Sequence, residues 1–274
     1  EHGIPINPEL DQALFHGSSL GGARPKAMIE DNDTKYIAKF SSQNDLTNVV
    51  KAEFIAMRLA ERVGLDVAKV RLARAAHKDV LLIERFDRVP TKGGQARKAM
   101  VSALTLLELD EMMARYASYE KLCEIIRHRF DQPKAMLHEL FGRLVFNILC
   151  GNTDDHARNH AAFWDGQSLR LTPAYDICPQ HRAGNEASQA MLIKGSDRMS
   201  RLSTCLDAAV NFLLKQAEAE AIIRQQILII TENWRNVCDE AGLSEVDRNG
   251  LWRRQFINPF AIDGIPQEWL APLS

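Results

Sequence analysis

The stretch CGNTDDHARNH, residues 150–160, joins a long apolar pattern to a polar segment that opens on a glycine. Upstream, Met136, Leu137, Leu140, Phe141, Leu144, Val145, Ile148 and Leu149 make residues 133–150 apolar nearly all round. That predicts a buried helix with Pro133 in its first turn. Downstream, HAAFW, DGQS and LRLTP spell a short hairpin with an Asp-Gly turn, and AYD follows at once. A buried helix thus fixes where the loop starts and a hairpin fixes where it ends. The hairpin folds the chain back, so Asp176 is expected to return near Asn159 despite the stretch of chain between them.

An aspartate and an asparagine that converge with oxygen ligands suit a hard cation such as Mg²⁺, completed by water and phosphate oxygens. Asp154 is then free to accept a hydroxyl proton. A loop aspartate, an asparagine five residues on and a further aspartate after a hairpin follow the logic of kinase-type phosphoryl transfer. Taken singly, these residues have a blander reading, because Asp and Asn also cap helices and make Asx turns. Their order along the chain, together with a partner in the first half, favours the site.

That partner is Lys39. KAMIE (26–30) and KYIAKF (35–40) flank the turn-rich DNDT and predict a hairpin. Between Asp45 and Val63 the period becomes helical, through Val49, Phe54, Ile55, Met57, Leu59 and Ala60, and Gly64 stops it. AKVRLARAA and DVLLIERF read as two more strands, giving the order strand, strand, helix, strand, strand. Lys39 then sits in a strand and Glu53 on the next helix, the arrangement in which a lysine holds phosphates and a glutamate orients it. LLIERF runs into RVPTKGGQAR (88–97), the most turn-rich and basic stretch, where a kinase would hang adenine from backbone groups. It sets the expected division into residues 1–90 and 91–274. Before the first strand, HGSSLGGARPK (16–26) places Gly21 and Gly22 side by side, so backbone amides can approach an anion closely. Arg24 and Lys26 add charge, and Ser18 and Ser19 set hydroxyls beside the phosphate site. The loop is no Walker A and lacks the spacing of an ordinary kinase Gly-rich loop; a plain flexible segment is the competing reading.

The second half is expected to be mainly helical, with SYEKLCEIIRHRF (118–130) capped by its serine and one or two long helices over 208–241 ended near Gly242. At 274 residues the chain can bury one large domain or two lobes, and a net charge of −2 gives no overall pull toward nucleic acid or a membrane. Five widely spaced cysteines without CxxC argue against a disulfide framework or zinc module and for a reducing, cytoplasmic setting. No apolar run is long enough to span a membrane, no signal peptide opens the chain, and Glu1 in place of Met reads as a trimmed start.

Across nearly its whole length, from SSLGGARPK through IAKF, LLIERFDR, GNTDDHARN and LTPAYDI to QFINPFA, the chain resembles the HipA family of bacterial toxin kinases. The resemblance implies an α+β, two-lobed, protein-kinase-like fold of HipA type, with a small β-rich N-lobe and a mostly helical C-lobe. It implies ATP and Mg²⁺ as cofactors, Asp154 as catalytic base, Asn159 and Asp176 as metal ligands, and Lys39 as the ATP-phosphate lysine with Glu53 as its partner. Glu84 and Phe86 match the hinge whose main chain holds adenine, and His156 keeps the family's histidine, while Arg158 stands where relatives often carry lysine. Ser19, with Ser18 beside it, falls on the autophosphorylated Gly-loop serine whose phosphorylation ejects the loop and silences the kinase. Implied partners are a protein substrate of the translation machinery, typically an aminoacyl-tRNA synthetase, and an antitoxin that joins the kinase to DNA as a repressor. Typical members carry an additional N-terminal subdomain, whereas only a short stretch precedes the Gly-loop here; a cut chain and a short form served by a separate small protein both fit.

Two other readings compete with a serine/threonine kinase toxin. A small-molecule phosphotransferase of the same fold would need an acidic acceptor pocket, for which Glu218, Glu220 and Glu232 are candidates on a helix that reads as solvated. A non-catalytic, DNA-associated regulatory subunit would use Arg97, Lys98 and the RMSRLSTC run around Arg201, though the even balance of charges favours a solvated surface.

Overall fold

The computed structural model describes residues 25–273 except 32, 42–47, 76–77 and 183. The N-terminal part is a four-stranded antiparallel sheet with one helix. Strands β1 (Lys26–Asp31) and β2 (Thr34–Phe40) form the expected hairpin, which turns through Asp33 at φ 64°. Helix α1 (Val49–Arg62) follows, capped by the Asn48 side chain on the Lys51 N–H at 3.0 Å and ended before Gly64 at φ 90°. Strands β3 (Val70–Ala75) and β4 (Lys78–Glu84) complete the order β1-β2-β4-β3. Lys39 pairs with Leu81 and Tyr36 with Glu84, so successive β2 residues alternate between two buried faces. Ala38, Phe40, Val80 and Leu82 gather a small core on one face. Lys39, Leu81 and Ile83 share the other with α1.

The stretch expected to divide the lobes is itself a hairpin, β5 (Arg88–Thr91) and β6 (Gly94–Arg97), closed where the Lys98 N–H reaches the Asp87 carbonyl at 3.0 Å. Its turn residues were legible, but its pairing was not, because the flanking residues are short, polar and exposed. Strand β7 (Ala99–Ser102) then joins β8 (Ala161–Trp164) and β9 (Leu169–Leu171) in a second sheet. The loop hairpin is therefore backed by a strand from far upstream in the chain, Met100 lying opposite Phe163, rather than standing alone.

Apart from a long irregular stretch between β9 and α5, the remainder is mainly helical: α2 (Ala103–Leu106), α3 (Tyr119–Arg129, capped by Ser118), α4 (Pro133–Cys150), α5 (Leu202–Ala208), α6 (Gln216–Glu240) and α7 (Glu245–Leu251). Helix α4 carries Pro133 in its first turn and is buried along its second half, as its all-round apolar pattern predicts. One core runs from α1 and β4 through α3, α4 and α6, so the two parts share packing. Arg58 and Arg62 on α1 reach Glu240 at the end of α6, both at 3.0 Å. Gly242, just past α6, takes φ 56°, the stop expected there. All five cysteines are buried, and none forms a disulfide among the described residues. No helix among the described residues is long and apolar enough to cross a membrane.

Candidate active site

Lys39 is the first anchor. It is 7% exposed, and its Nζ reaches Glu53 Oε1 on α1 at 2.6 Å and also Asp176 Oδ1. Burial works to lower the lysine's pKa, but the Glu53 and Asp176 carboxylates outweigh it and hold the group above its usual value. Glu53, 2% exposed, is pushed up by burial despite Lys39. Asp176 goes the other way. Burial would raise it, yet the Lys39 charge and hydrogen bond, with smaller help from Lys26 and His156, keep it below the carboxylate range. Lys26 owes its influence to register, since it lies directly opposite Lys39. Asp176 sits at φ 61°, a left-handed backbone that turns the chain sharply just past the second sheet.

The loop after α4 is set by Gly151. It closes the helix at φ 75°, and a Cβ there would stand 2.6 Å from the Gln255 carbonyl oxygen. No side chain fits. Beyond it the two adjacent aspartates part company. Asp154 is exposed, its carbonyl accepting the His156 N–H at 2.9 Å and the Asn159 Nδ2 at 3.2 Å. That bond uses the nitrogen of the Asn159 amide and leaves Oδ1 as its acceptor. Asp155 is 1% exposed and is held by the Tyr119 hydroxyl and by His160 Nε2 at 2.8 Å. Burial and the Asp155 charge raise Tyr119 well above the ordinary phenol, which keeps its proton in place as a donor. Tyr175, beside Asp176, donates to the Arg158 carbonyl at 2.8 Å and so ties the returning hairpin to the loop.

Glu84 ends β4, and Phe86 lies two residues beyond it. The Glu84 N–H reaches the Lys69 carbonyl at 2.9 Å, and the Phe86 ring packs on Phe163 and Tyr175 at centroid distances of 6.0 and 5.6 Å. Phe86 therefore bridges the first sheet, the second sheet and the residue before Asp176. His156 has a buried Nδ1 without a hydrogen-bond partner and is close enough to Asp176 to depress its carboxyl. Ser18, Ser19, Gly21 and Gly22 lie outside the described residues.

Sequence reasoning brought Lys39, Glu53, Asp154, Asn159 and Asp176 into play but missed two supports. One is Asp155 with Tyr119 and His160. The doubled Asp and the second His were visible, but no spacing rule links them to a tyrosine at a helix start 36 residues upstream. The other is Asp87, gripped by Arg85 at 2.6 and 2.8 Å and by Arg88, which shapes the chain just after β4. ERFDR carries all three, and alternating charge around one acid was its available signal.

Among the described residues no group of three or more His, Cys, Asp or Glu forms a metal site. Asp176 and Asn159 would supply two oxygens, the number Mg²⁺ commonly takes from protein when phosphates and water complete its shell. The donor set fits.

A strand lysine paired with a glutamate on the neighbouring helix, joined to a helical part bearing an Asp–Asn loop and a later aspartate, defines a two-lobed protein-kinase-like fold. More narrowly, the HipA-like C-terminal domain family matches residues 18–234, and the chain belongs to it. It is 26% identical over 188 residues to the serine/threonine-protein kinase toxin HipA of Shewanella oneidensis, covering 58% of this chain and 42% of that protein. Over 190 residues it is 28% identical to Y4mE of Sinorhizobium fredii, which carries a kinase name, covering 64% of this chain and 45% of that one. The chain spans about half the length of the curated relatives it matches. Among solved structures it is similar to the toxin–antitoxin complex of HipA, HipB and operator DNA from Shewanella oneidensis MR-1. The TM-score is 0.75 at 20% identity, covering 94% of this chain and 73% of that one. The Helicobacter pylori proinflammatory kinase CtkA gives a TM-score of 0.58 at 16% identity, covering 91% and 95%.

Proposed function

We propose that the chain is the catalytic part of a serine/threonine protein kinase that transfers the γ-phosphate of ATP to a protein hydroxyl, as the toxin of a toxin–antitoxin pair. The observation that carries this reading is Lys39, a buried cation joined at once to Glu53 on a helix and to Asp176 past the second sheet. A purely structural lysine would not need two buried or half-buried acids from elements so far apart, and such clusters gather where charge is used. Lys39, oriented by Glu53, contacts the ATP phosphates. The main chain from Glu84 to Phe86 holds adenine, and His156 with Gly21 and Gly22 completes the nucleotide site. Asn159 and Asp176 would hold Mg²⁺, which would supply neutralisation of charge on the phosphates. Asp154, exposed at the loop surface, accepts the acceptor's hydroxyl proton as the oxygen–phosphorus bond forms and the bond to ADP breaks.

Ser19, or Ser18 beside it, is the self-modified hydroxyl. The acceptor protein belongs to the translation machinery, an aminoacyl-tRNA synthetase being the type, and the setting is cytoplasmic. An antitoxin partner brings the kinase to DNA as the HipB complex of Shewanella does for its HipA. Two of the three acidic residues considered for a small cationic acceptor are engaged within their own helix: Glu218 accepts the Lys215 N–H at 2.8 Å at the start of α6, and Glu220 accepts from Gln216 at 3.0 Å.

Intact-mass spectrometry before and after incubation with Mg-ATP tests the reading, alongside Asp154→Ala. One added phosphate on Ser18 or Ser19 in the wild type alone is expected, with transfer reduced about 10²–10⁴-fold in the variant. Undiminished phosphorylation by Asp154→Ala would sink the assignment of the base, and a chain that binds no ATP would sink the kinase.

A further inference from the structure

Outside the candidate active site, Arg182, Asn185 and the residues around α7 line a half-open cavity of about 430 Å³. Arg182, Arg253 and Arg254 all line it. Many arginines in the molecule are satisfied: Arg58, Arg85, Arg143 and Arg248 reach carboxylates, while Arg115 and Arg224 lie over aromatic rings. Arg182 and Arg253 differ. Nε and Nη2 of Arg182 and Nη1 of Arg253 are sealed from solvent without an acceptor, the remaining Arg182 bond running from Nη1 to the Asn185 carbonyl at 3.0 Å. A buried donor left unpaired is costly, the more so when it carries charge. Burial accordingly pulls the Arg182 guanidinium below its usual pKa. Among the described residues the carboxylate lining the cavity is Asp247, and it already accepts the Ser244 hydroxyl at 2.7 Å. Three cations against one occupied acid leave the cavity positive.

We propose that this cavity is an oxyanion-binding site for a phosphate monoester, carried by a small compound or by a phosphorylated segment of protein. Planar guanidinium forks match the paired oxygens of such a group and hold it more tightly than a single ammonium would. Gln255 Oε1, buried and without a donor in the same wall, accepts a hydroxyl or amide hydrogen of the ligand. The walls are fastened to the catalytic loop. The Gln180 N–H donates to the Gly151 carbonyl at 3.0 Å, and Gln255 packs on the same glycine. An anion gripped between Arg182 and Arg253 therefore draws together the segment after Asp176 and the segment that seats the loop. Binding here is separate from the nucleotide site at Lys39 and does not require that the chain be a kinase.

Calorimetric titration of the whole chain with inorganic phosphate, O-phosphoserine and a neutral pentapeptide bearing phosphoserine tests the site. Saturable binding is expected, weakened at least tenfold in Arg182→Met/Arg253→Met while ATP binding is unchanged. Equal phosphate affinity in that variant, or no saturable binding in the wild type, overturns the proposal. A phosphopeptide bound more tightly than phosphoserine assigns the site to a protein segment, and equal affinities assign it to small phosphate compounds. Should the double variant fail to fold, phosphate is expected to protect Arg182 and Arg253 of the wild type from phenylglyoxal. Absence of that protection, read by peptide mass, overturns the proposal equally.

Discussion

The Lys39 and Asp155 clusters bury charge in opposite ways. The Lys39 cluster draws on β2, α1 and the turn at Asp176, and one member stays open, the Asp176 side chain being 36% exposed. In the Asp155 cluster the carboxylate is sealed, and its two oxygens are taken by a tyrosine hydroxyl and an imidazole nitrogen. An open cluster can exchange partners, lysine for phosphate and aspartate for cation. A closed one can only hold. The adjacent residues Asp154 and Asp155 show the same division within one loop: one is open to solvent, where the proposed base must stand, and the other is a buried peg that fixes the loop.

Removing the peg is the hardest blow. Asp155→Ala leaves Tyr119 and His160 buried without their acceptor and is expected to cost about 3 kcal/mol in urea unfolding. Asp154→Ala, at an exposed position, should leave that midpoint unmoved; equal effects of the two would erase the distinction between reacting and holding. Glu53→Gln probes the open cluster. Burial already outweighs Lys39 at this carboxyl, and Lys39 keeps Asp176, so about 1 kcal/mol or less of destabilisation is expected, together with weaker ATP binding. A loss as large as that of Asp155→Ala would make Lys39–Glu53 a structural peg too. The smallest effect belongs to Asp87. Burial tends to raise its carboxyl, but the Arg85 hydrogen bond and the Arg85 and Arg88 charges lower it on balance below 3.8. An acid depressed in the fold stabilises above its unfolded pKa, and that contribution fades as pH falls through the folded value. The stability gap between wild type and Asp87→Asn should therefore be flat near neutrality and narrow below about pH 4. A gap that stays constant far into acid would remove the ion pairs from the account.

The elements that decide the fold were readable because their periodicity is strong. Helix α4 is apolar all round, and α1 bears a clear stripe ended by glycine. The β1–β2 and β8–β9 hairpins carry turn residues at their tips. What escaped depends on distance. Strand β7 looks like a mixed apolar run until it is known to lie beside β8, and pairing across so long a stretch of chain leaves no local trace. The β5–β6 hairpin hid behind polar, exposed strands. At the candidate site, residue type and spacing singled out Lys39, Asp154, Asn159 and Asp176, and the structure joins Lys39 to Asp176. Asp155 was not, since its role is set by Tyr119 on another helix. The cavity at Arg182 and Arg253 was equally hidden, as it joins two segments far apart in the chain.

Lys39 and Asp176 meet across 137 residues of chain. At ordinary ribosomal speeds of about 5–20 residues per second, synthesis of that span takes on the order of ten seconds. For that interval each new molecule owns its lysine and glutamate but not the aspartate that completes them. The last member of the Lys39 cluster is made only after α4 and both hairpin strands have been translated, so the cluster cannot close on a chain that stops short of it. Competence is in this sense a timer as well as a geometry, and it starts only when Asp176 has left the ribosome.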